Sequence, residues 1–113
     1  MTSEKRKHLR APVEMWVKEE SEEHYFVHRA SNISIGGLFL ENKVVVKKNT
    51  ISTYLFRLPT SQQLIVVQGK PVYDSISEKK KNRKGTGIKF LDLSPEAKQL
   101  IRDYVHAHQN HAE

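Results

Sequence analysis

The sequence predicts a mostly β domain, an antiparallel barrel or sandwich, that ends in one α-helix. Short strand-like segments recur along most of the chain and are separated by turn signals, which is typical of such folds. Near the C-terminus the hydrophobic period changes to that of a helix. The length of 113 residues fits one domain with a modest core.

Six segments carry the strand signal. In the first, apolar residues alternate with polar ones from Val13 to Val17, which predicts a half-buried strand. Trp16 breaks that alternation, and we expect it to pack in the core or at the barrel rim, as we do Phe26 in the second segment. Pro71 predicts an edge or bulged fifth strand, because proline has no N–H to donate. The segments are residues 13–19, 24–31, 37–42, 50–58, 63–76 and 85–93.

The segment that begins at Ser94 has the features of a helix N-terminus. Ser94 suits the N-cap, Pro95 suits the first helical position, and Glu96 faces the positive end of the helix dipole. Five apolar residues then follow the spacing of one helix face, which predicts an amphipathic helix that packs on the open end or the side of the barrel. They are Ala97, Leu100, Ile101, Tyr104 and Val105.

The formal charge of +6 is concentrated in two segments. Residues 1–10 hold four cationic side chains against Glu4 and so carry +3, while residues 79–84 hold five cations and carry +5. The rest of the chain is left with −2. Such basic segments on a nearly neutral body either attract a polyanion or remain solvated.

The residue types argue against several classes of protein. No cysteine is present, which excludes disulfides and thiolate metal sites, and the cytoplasm is the expected compartment. The longest aliphatic run, residues 64–67, is far too short to span a bilayer. No nucleophile elbow, phosphate loop, HExxH motif or carboxylate pair suggests catalysis, so we do not expect an enzyme. The histidines at 106, 108 and 111 have no partner ligands nearby in the sequence, and we expect neither a metal nor a cofactor.

Two polar motifs remain. In RKHLR, Arg6 and Arg10 are separated by three residues and precede Ala11-Pro12, so an extended arm leads into the first strand. Arginine suits a planar, bidentate acceptor such as a guanine edge or a phosphate. In NISIGG, Asn32 can hydrogen-bond a base edge and Ser34 a phosphate, and the glycines let backbone amides approach an anion. Together the motifs describe a site for a guanine nucleotide with phosphates.

R-x-x-x-R precedes the first strand, N-x-S-x-x-G lies between the next two, and GTGIKF lies in the last. In these motifs and their order, the sequence resembles the PilZ family of bacterial cyclic di-GMP receptors. The resemblance covers nearly the whole chain and implies a six-stranded antiparallel β-barrel with a C-terminal α-helix that binds cyclic di-GMP on its outer surface. It implies that Arg6 and Arg10 wrap the ligand, that Asn32 and Ser34 hold a guanine edge and a phosphate, and that Gly37 keeps this surface open.

Further residues follow from the resemblance. Tyr73 lies near the position in the fifth strand where the family often stacks an aromatic ring on guanine. Lys5 stands immediately before the first motif arginine, where some relatives carry Arg and bind an intercalated ligand dimer, so the stoichiometry stays open. Gly36, beside Gly37, is a secondary candidate. The second motif begins with Asn32 instead of the commoner Asp, which removes a negative charge beside a dianionic ligand.

The motifs divide the chain into a flexible basic arm (residues 1–12), a PilZ barrel with its helix (13–108) and a tail (109–113). We expect cyclic di-GMP to neutralise the arm, which then orders over the nucleotide and changes a surface for an unidentified effector protein. Two alternatives stay open: a small basic barrel that binds RNA or DNA through residues 79–84, and a PilZ-fold adaptor that needs no ligand. We expect a monomer or a homodimer without membrane insertion.

Overall fold

The computed structural model describes residues 9–22, 24–41, 49–72 and 85–109, in which six strands precede one helix. The strands are β1 (Ala11–Glu20), β2 (Tyr25–Ser34), β3 (Gly37–Leu40), β4 (Ser52–Phe56), β5 (Ile65–Val72) and β6 (Thr86–Phe90), and the helix is α1 (Pro95–His108). Each element lies within a few residues of the segment that the sequence pattern predicts.

The six strands close into a barrel in the order β1-β2-β3-β6-β5-β4, with β4 pairing back onto β1. All six pairings are antiparallel. Strands β3 and β6 are distant in the sequence but adjacent in the barrel, so the turn between β2 and β3 lies beside the last strand. The predicted fold class, a six-stranded antiparallel barrel with a C-terminal helix, is confirmed.

The inward-facing residues of the strands fill the barrel. In β1, alternate residues from Ala11 to Glu19 are buried while those between them face outward, as expected for a strand with one face in the core. Fully burying one large apolar side chain contributes about 1.5–3 kcal/mol, so this interior supplies most of the driving force for folding. The most deeply buried large apolar side chains include Val17, Ile33 and Leu40 in the strands and Ile101 in the helix.

Helix α1 packs across β1 and β2. Its N-terminus is capped as predicted, because the Ser94 hydroxyl accepts a hydrogen bond of 3.1 Å from the N–H of Ala97 and Pro95 follows the cap. The buried face includes Tyr104, whose hydroxyl donates a 3.0 Å hydrogen bond to the carbonyl oxygen of Pro12. The helix therefore anchors the start of β1, two residues after Arg10.

Trp16 does not pack in the core, so that expectation is wrong. It lies between the buried residues Met15 and Val17 and therefore points outward, with 65% of its surface exposed. Strand alternation decides its direction, and the size of the ring does not override it. Phe26, in contrast, is half-buried and stacks on His24 with 5.6 Å between the ring centroids.

Pro71 does not make β5 an edge strand, because β5 pairs with both β4 and β6. The β4 pairing ends at Ser52 and Gly69, two residues before the proline. The carbonyl oxygen of Pro71 instead accepts a 3.3 Å hydrogen bond from the N–H of Asn49. Since the N–H and C=O of one strand residue point to the same side, the missing N–H lies beyond the regular β4 ladder, where it disrupts no strand pair.

Candidate nucleotide-binding site

A two-residue turn joins β2 to β3 and contains the second polar motif. Ser34 and Gly37 form the last cross-strand pair, and Ile35 and Gly36 make the turn. The Ser34 hydroxyl oxygen accepts a 3.1 Å hydrogen bond from the N–H of Gly36, and the Gly36 carbonyl accepts a 2.9 Å bond from the N–H of Phe90. The turn is thus fixed both internally and to β6. The bond from Gly36 uses a lone pair of Ser34 and does not use its O–H donor.

The motif glycine Gly37 is required by close packing of the backbone. None of the described glycines has a positive φ, so left-handed backbone conformation does not explain it. A Cβ atom added at Gly37 would instead overlap the carbonyl oxygen of Ile88 on β6. Any larger residue would push β3 away from β6. Gly37 therefore positions the turn and the last strand relative to each other.

Asn32 reaches the outer surface because β2 is irregular next to it. The register of β2 shifts between Ala30 and Asn32 against β3, and that of β1 shifts between Pro12 and Met15 against β2. Such a bulge re-aims the side chains that follow it. Beyond the bulge Asn32 is half-buried and pairs with Pro12 on one side and Phe39 on the other. Its amide lies at a surface position flanked by an aromatic ring.

Arg10 lies beside this turn. It immediately precedes Ala11, which pairs with Ile33, so one further step of the same register brings Arg10 to the level of Ser34. Its side chain is exposed. The fold therefore brings together Arg10, Asn32 and Ser34, with the turn glycines beside them. Of the other candidates, Lys5, Arg6 and Tyr73 lie outside the described residues.

Two lysines next to the turn have no recognisable signal in the sequence. Lys89 on β6 pairs with Gly37 on one side and with Lys70 on β5 on the other. Directly opposed side chains lie on the same face, so two like charges are neighbours on the outer surface, which is unfavourable unless an anion lies between or near them. The proximity of these two lysines follows only from the pairing of β3, β5 and β6. Single-strand patterns do not reveal it.

A second group of polar residues, which we call the inner polar cluster, lies inside the barrel toward the opposite end of β1. It consists of Glu19, His28, Ser52 and Tyr54. The Glu19 carboxylate is 2.8 Å from His28 Nε2 and accepts a 3.2 Å hydrogen bond from the Ser52 hydroxyl. The Tyr54 hydroxyl is buried and has no hydrogen-bond partner among the described residues. Burial, and then the negative charge of Glu19, raise the pKa of Tyr54.

The described part of the chain was expected to contain neither a metal site nor a membrane-spanning helix. There, no three His, Asp or Glu side chains come together to hold a metal ion. His106 and His108 lie in the last turn of α1, where the His108 ring stacks on Tyr104 at a centroid distance of 4.2 Å. Over the same residues, no helix has the length and apolar character needed to cross a membrane.

The architecture is that of a small antiparallel β-barrel domain with one C-terminal helix, and the residues of the second motif lie at its β2–β3 turn. The chain belongs to the PilZ domain family, whose model matches residues 4–107. No curated protein sequence matches it significantly.

Solved structures share this fold at low sequence identity. The inhibitor of motility MotI/DgrA from Bacillus subtilis is 16% identical with a TM-score of 0.74, and the match covers 93% of this chain and 51% of that one. This chain therefore spans about half of that protein. The PilZ domain of YcgR from Escherichia coli, solved with c-di-GMP, is 11% identical with a TM-score of 0.64 and coverage of 93% and 92%. The PilZ domain of CeSA from a cellulose-synthesizing bacterium is 13% identical with a TM-score of 0.57 and coverage of 87% and 95%.

Proposed function

We propose that this chain is a receptor for cyclic di-GMP that binds the nucleotide on the outer barrel surface beside the β2–β3 turn. The observation that carries the proposal is the pairing of Ala11 with Ile33 at the end of the β1–β2 register, because one further step along both strands brings Arg10 level with Ser34. Two motifs that are far apart in the sequence thereby meet at one place. The YcgR domain from Escherichia coli, which shares the fold, is a c-di-GMP complex and supports this choice of ligand.

Each side chain at the turn has a role that suits such a ligand. The Arg10 guanidinium makes bidentate, charge-assisted hydrogen bonds to a phosphate or to the O6/N7 edge of guanine. The Asn32 amide offers both a donor and an acceptor to a base edge, and the Ser34 O–H donates to a phosphate oxygen. A few such contacts with one or two stacked bases support a micromolar affinity, roughly −8 kcal/mol.

The paired lysines strengthen this assignment. The repulsion between Lys70 and Lys89 is relieved when a phosphate binds near them, so part of the binding energy comes from removing an unfavourable interaction of the free protein. Because both side chains lie at the surface, their contribution falls as the salt concentration rises. Lys89 also neighbours Gly37, which links the lysines to the motif.

Binding then acts through the N-terminal arm. Arg6 and Lys5 add positive charge next to Arg10, and a ligand with two phosphates neutralises them and draws the arm across the bound nucleotide. The arm joins β1 where Tyr104 holds Pro12, so its new position alters the surface on this side of the barrel. We propose that an effector protein reads this altered surface. The expected setting is the bacterial cytoplasm, and the role is that of a receptor without catalysis.

The proposal is tested by calorimetric titration of the purified chain with cyclic di-GMP, with GTP and a short single-stranded RNA in parallel. Saturable binding of the cyclic dinucleotide alone supports the receptor, and the ligand count per chain decides between one nucleotide and an intercalated pair. Lys89→Gln is expected to weaken binding by up to about fivefold at low salt, since one surface charge contact is worth up to about 1 kcal/mol. Lys98→Gln, on the exposed face of α1, is the matched control and leaves the affinity unchanged.

Two outcomes contradict the proposal. Binding of RNA without binding of the cyclic dinucleotide supports a nucleic-acid-binding barrel, whose affinity then depends on polymer length and falls steeply with salt. Binding of none of the three, measured at several temperatures so that a small enthalpy does not hide it, supports an adaptor that needs no nucleotide.

A further inference from the structure

The outer face of the β1–β2 hairpin carries three large exposed side chains. Trp16, Tyr25 and Val27 are 65%, 61% and 52% exposed. The register pairs Trp16 with Arg29, Lys18 with Val27 and Glu20 with Tyr25, so these residues form two adjacent columns on the outer surface. We call this surface the β1–β2 face. It consists of Trp16, Tyr25 and Val27 together with Glu14, Lys18, Glu20 and Arg29.

The charges on the β1–β2 face are mixed and lie against its aromatic rings. The Arg29 guanidinium carbon is 5.8 Å from the centroid of the Trp16 ring, and Lys18 Nζ is 4.9 Å from that of Tyr25. Each cation is also 3.6 Å from a carboxylate, Arg29 from Glu14 and Lys18 from Glu20. A face with equal numbers of acidic and basic groups lacks the single-sign charge that favours a nucleic acid or an anionic membrane.

We propose that the β1–β2 face binds a second copy of this chain and forms a two-fold symmetric dimer. The three apolar side chains present on the order of 400 Å², given that an aromatic residue buries 150–250 Å². That is about as large as the biggest apolar patch on a typical monomer, and it is about half of the roughly 800 Å² that each partner contributes to a standard interface. The surrounding charged residues supply the remaining area as a polar rim.

The pattern of the face is complementary to itself. In a two-fold contact the same patch meets itself, so each residue must suit the residue that faces it. With the symmetry axis parallel to the strands and between them, each column faces the other column of the second copy. Trp16 then meets Arg29, Lys18 meets Val27 and Glu20 meets Tyr25 across the interface, following the observed register. No like charges are opposed, and the Arg29–Trp16 cation–π pair and a Glu20–Tyr25 carboxylate–phenol hydrogen bond become available between copies.

This dimer is independent of nucleotide binding, because the face lies outside the cluster of Arg10, Asn32 and Ser34. The test is sedimentation velocity or light scattering on the nucleotide-free full chain from low micromolar to millimolar concentration. The expected result is a reversible increase from the chain mass of 13.1 kDa to twice that value. Trp16→Ala is expected to raise the dimer dissociation constant roughly thirtyfold, as for a central aromatic anchor.

A matched pair of variants distinguishes dimerisation through this face from nonspecific association of exposed apolar residues. Val27→Lys lies on the face, whereas Val66→Lys replaces a valine of similar exposure, 55%, on β5. Strands β2 and β5 are three steps apart in either direction around the barrel. The dimer is expected to be lost in Val27→Lys and kept in Val66→Lys, with melting temperatures that match the wild type at concentrations where all three are monomeric. A wild-type chain that stays monomeric throughout, or a dimer lost equally in both variants, overturns the proposal.

Discussion

The two groups of polar residues at opposite ends of β1 have different surroundings, and the difference separates stability from binding. In the inner polar cluster, Glu19 is held by His28 and Ser52 inside the barrel. At the turn, Arg10 is exposed and Asn32 is half-buried, while Ser34 is buried and accepts a hydrogen bond from the N–H of Gly36. A polar group that is satisfied in the interior has little capacity left for a ligand, while one at the surface retains it. The inner polar cluster therefore stabilises the fold, and the β2–β3 turn is the candidate binding site.

The largest expected effect comes from breaking the inner polar cluster. Glu19→Ala removes one partner of a buried, hydrogen-bonded pair and is expected to lower the free energy of unfolding by about 3–5 kcal/mol, measured by urea denaturation. Glu20→Ala, at the neighbouring exposed position, is the control and changes it by less than about 0.5 kcal/mol. A Glu19→Ala variant that keeps its stability but loses cyclic di-GMP affinity contradicts the division between the two groups.

Arg10→Ala is the reciprocal change at the turn. Loss of charge-assisted contacts worth about 2 kcal/mol weakens cyclic di-GMP binding roughly thirtyfold, while the melting temperature of the free protein stays the same because the side chain is exposed. Calorimetry and thermal denaturation measure the two quantities. Arg57→Ala replaces an exposed arginine just after β4 and is expected to leave the affinity unchanged. If Arg10→Ala unfolds the domain, the arginine is structural.

Substitution of Gly37 tests whether this motif residue stabilises the fold or contacts the ligand. Because a Cβ there meets the Ile88 carbonyl, Gly37→Ala is expected to cost about 1–3 kcal/mol of unfolding free energy. Gly87→Ala is the matched control, since its Cβ would make an ordinary 3.4 Å contact with Val72 Cγ2. Equal stability of both variants, with affinity lost only in Gly37→Ala, would assign Gly37 to the ligand instead.

The smallest effect is expected at Tyr54, and it depends on pH. At neutral pH, Tyr54→Phe removes a buried hydroxyl without a described partner, so the free energy of unfolding stays within about 1 kcal/mol or rises. In alkali the wild type loses stability, because the pKa of Tyr54 is raised in the folded state. The unfolded chain releases the proton first, so this loss begins near the ordinary pKa of 10.0 and grows as pH rises further.

Unfolding curves at several alkaline pH values measure this difference. Tyr54→Phe is expected to lose less stability than the wild type over that range. Tyr25→Phe, at an exposed position, is the control and follows the wild type. A Tyr54→Phe variant that is strongly destabilised at neutral pH would show that the hydroxyl has a partner that the fold needs.

Local patterns predict the elements, whereas relations between strands cannot be inferred from them. The N-cap at Ser94 and the alternation in β1 depend on nearby residues, so they could be inferred from the sequence. The same alternation places Glu19 on the inward face of β1, although a charged side chain is not expected inside a barrel. The lysine pair of β5 and β6 depends on register between distant segments. The expectation for Trp16 is wrong because an aromatic ring favours burial, whereas the alternation of β1 points this side chain outward.

The most direct test of the division between the two groups is an NMR titration of the ¹⁵N-labelled chain with cyclic di-GMP, following backbone amide shifts. The expected result is saturable shifts at Arg10, Asn32, Ser34, Gly37 and Lys89, with the amides of Glu19, His28, Ser52 and Tyr54 unmoved. Shifts concentrated at the inner polar cluster, or spread without saturation, would contradict the assignment of binding to the turn.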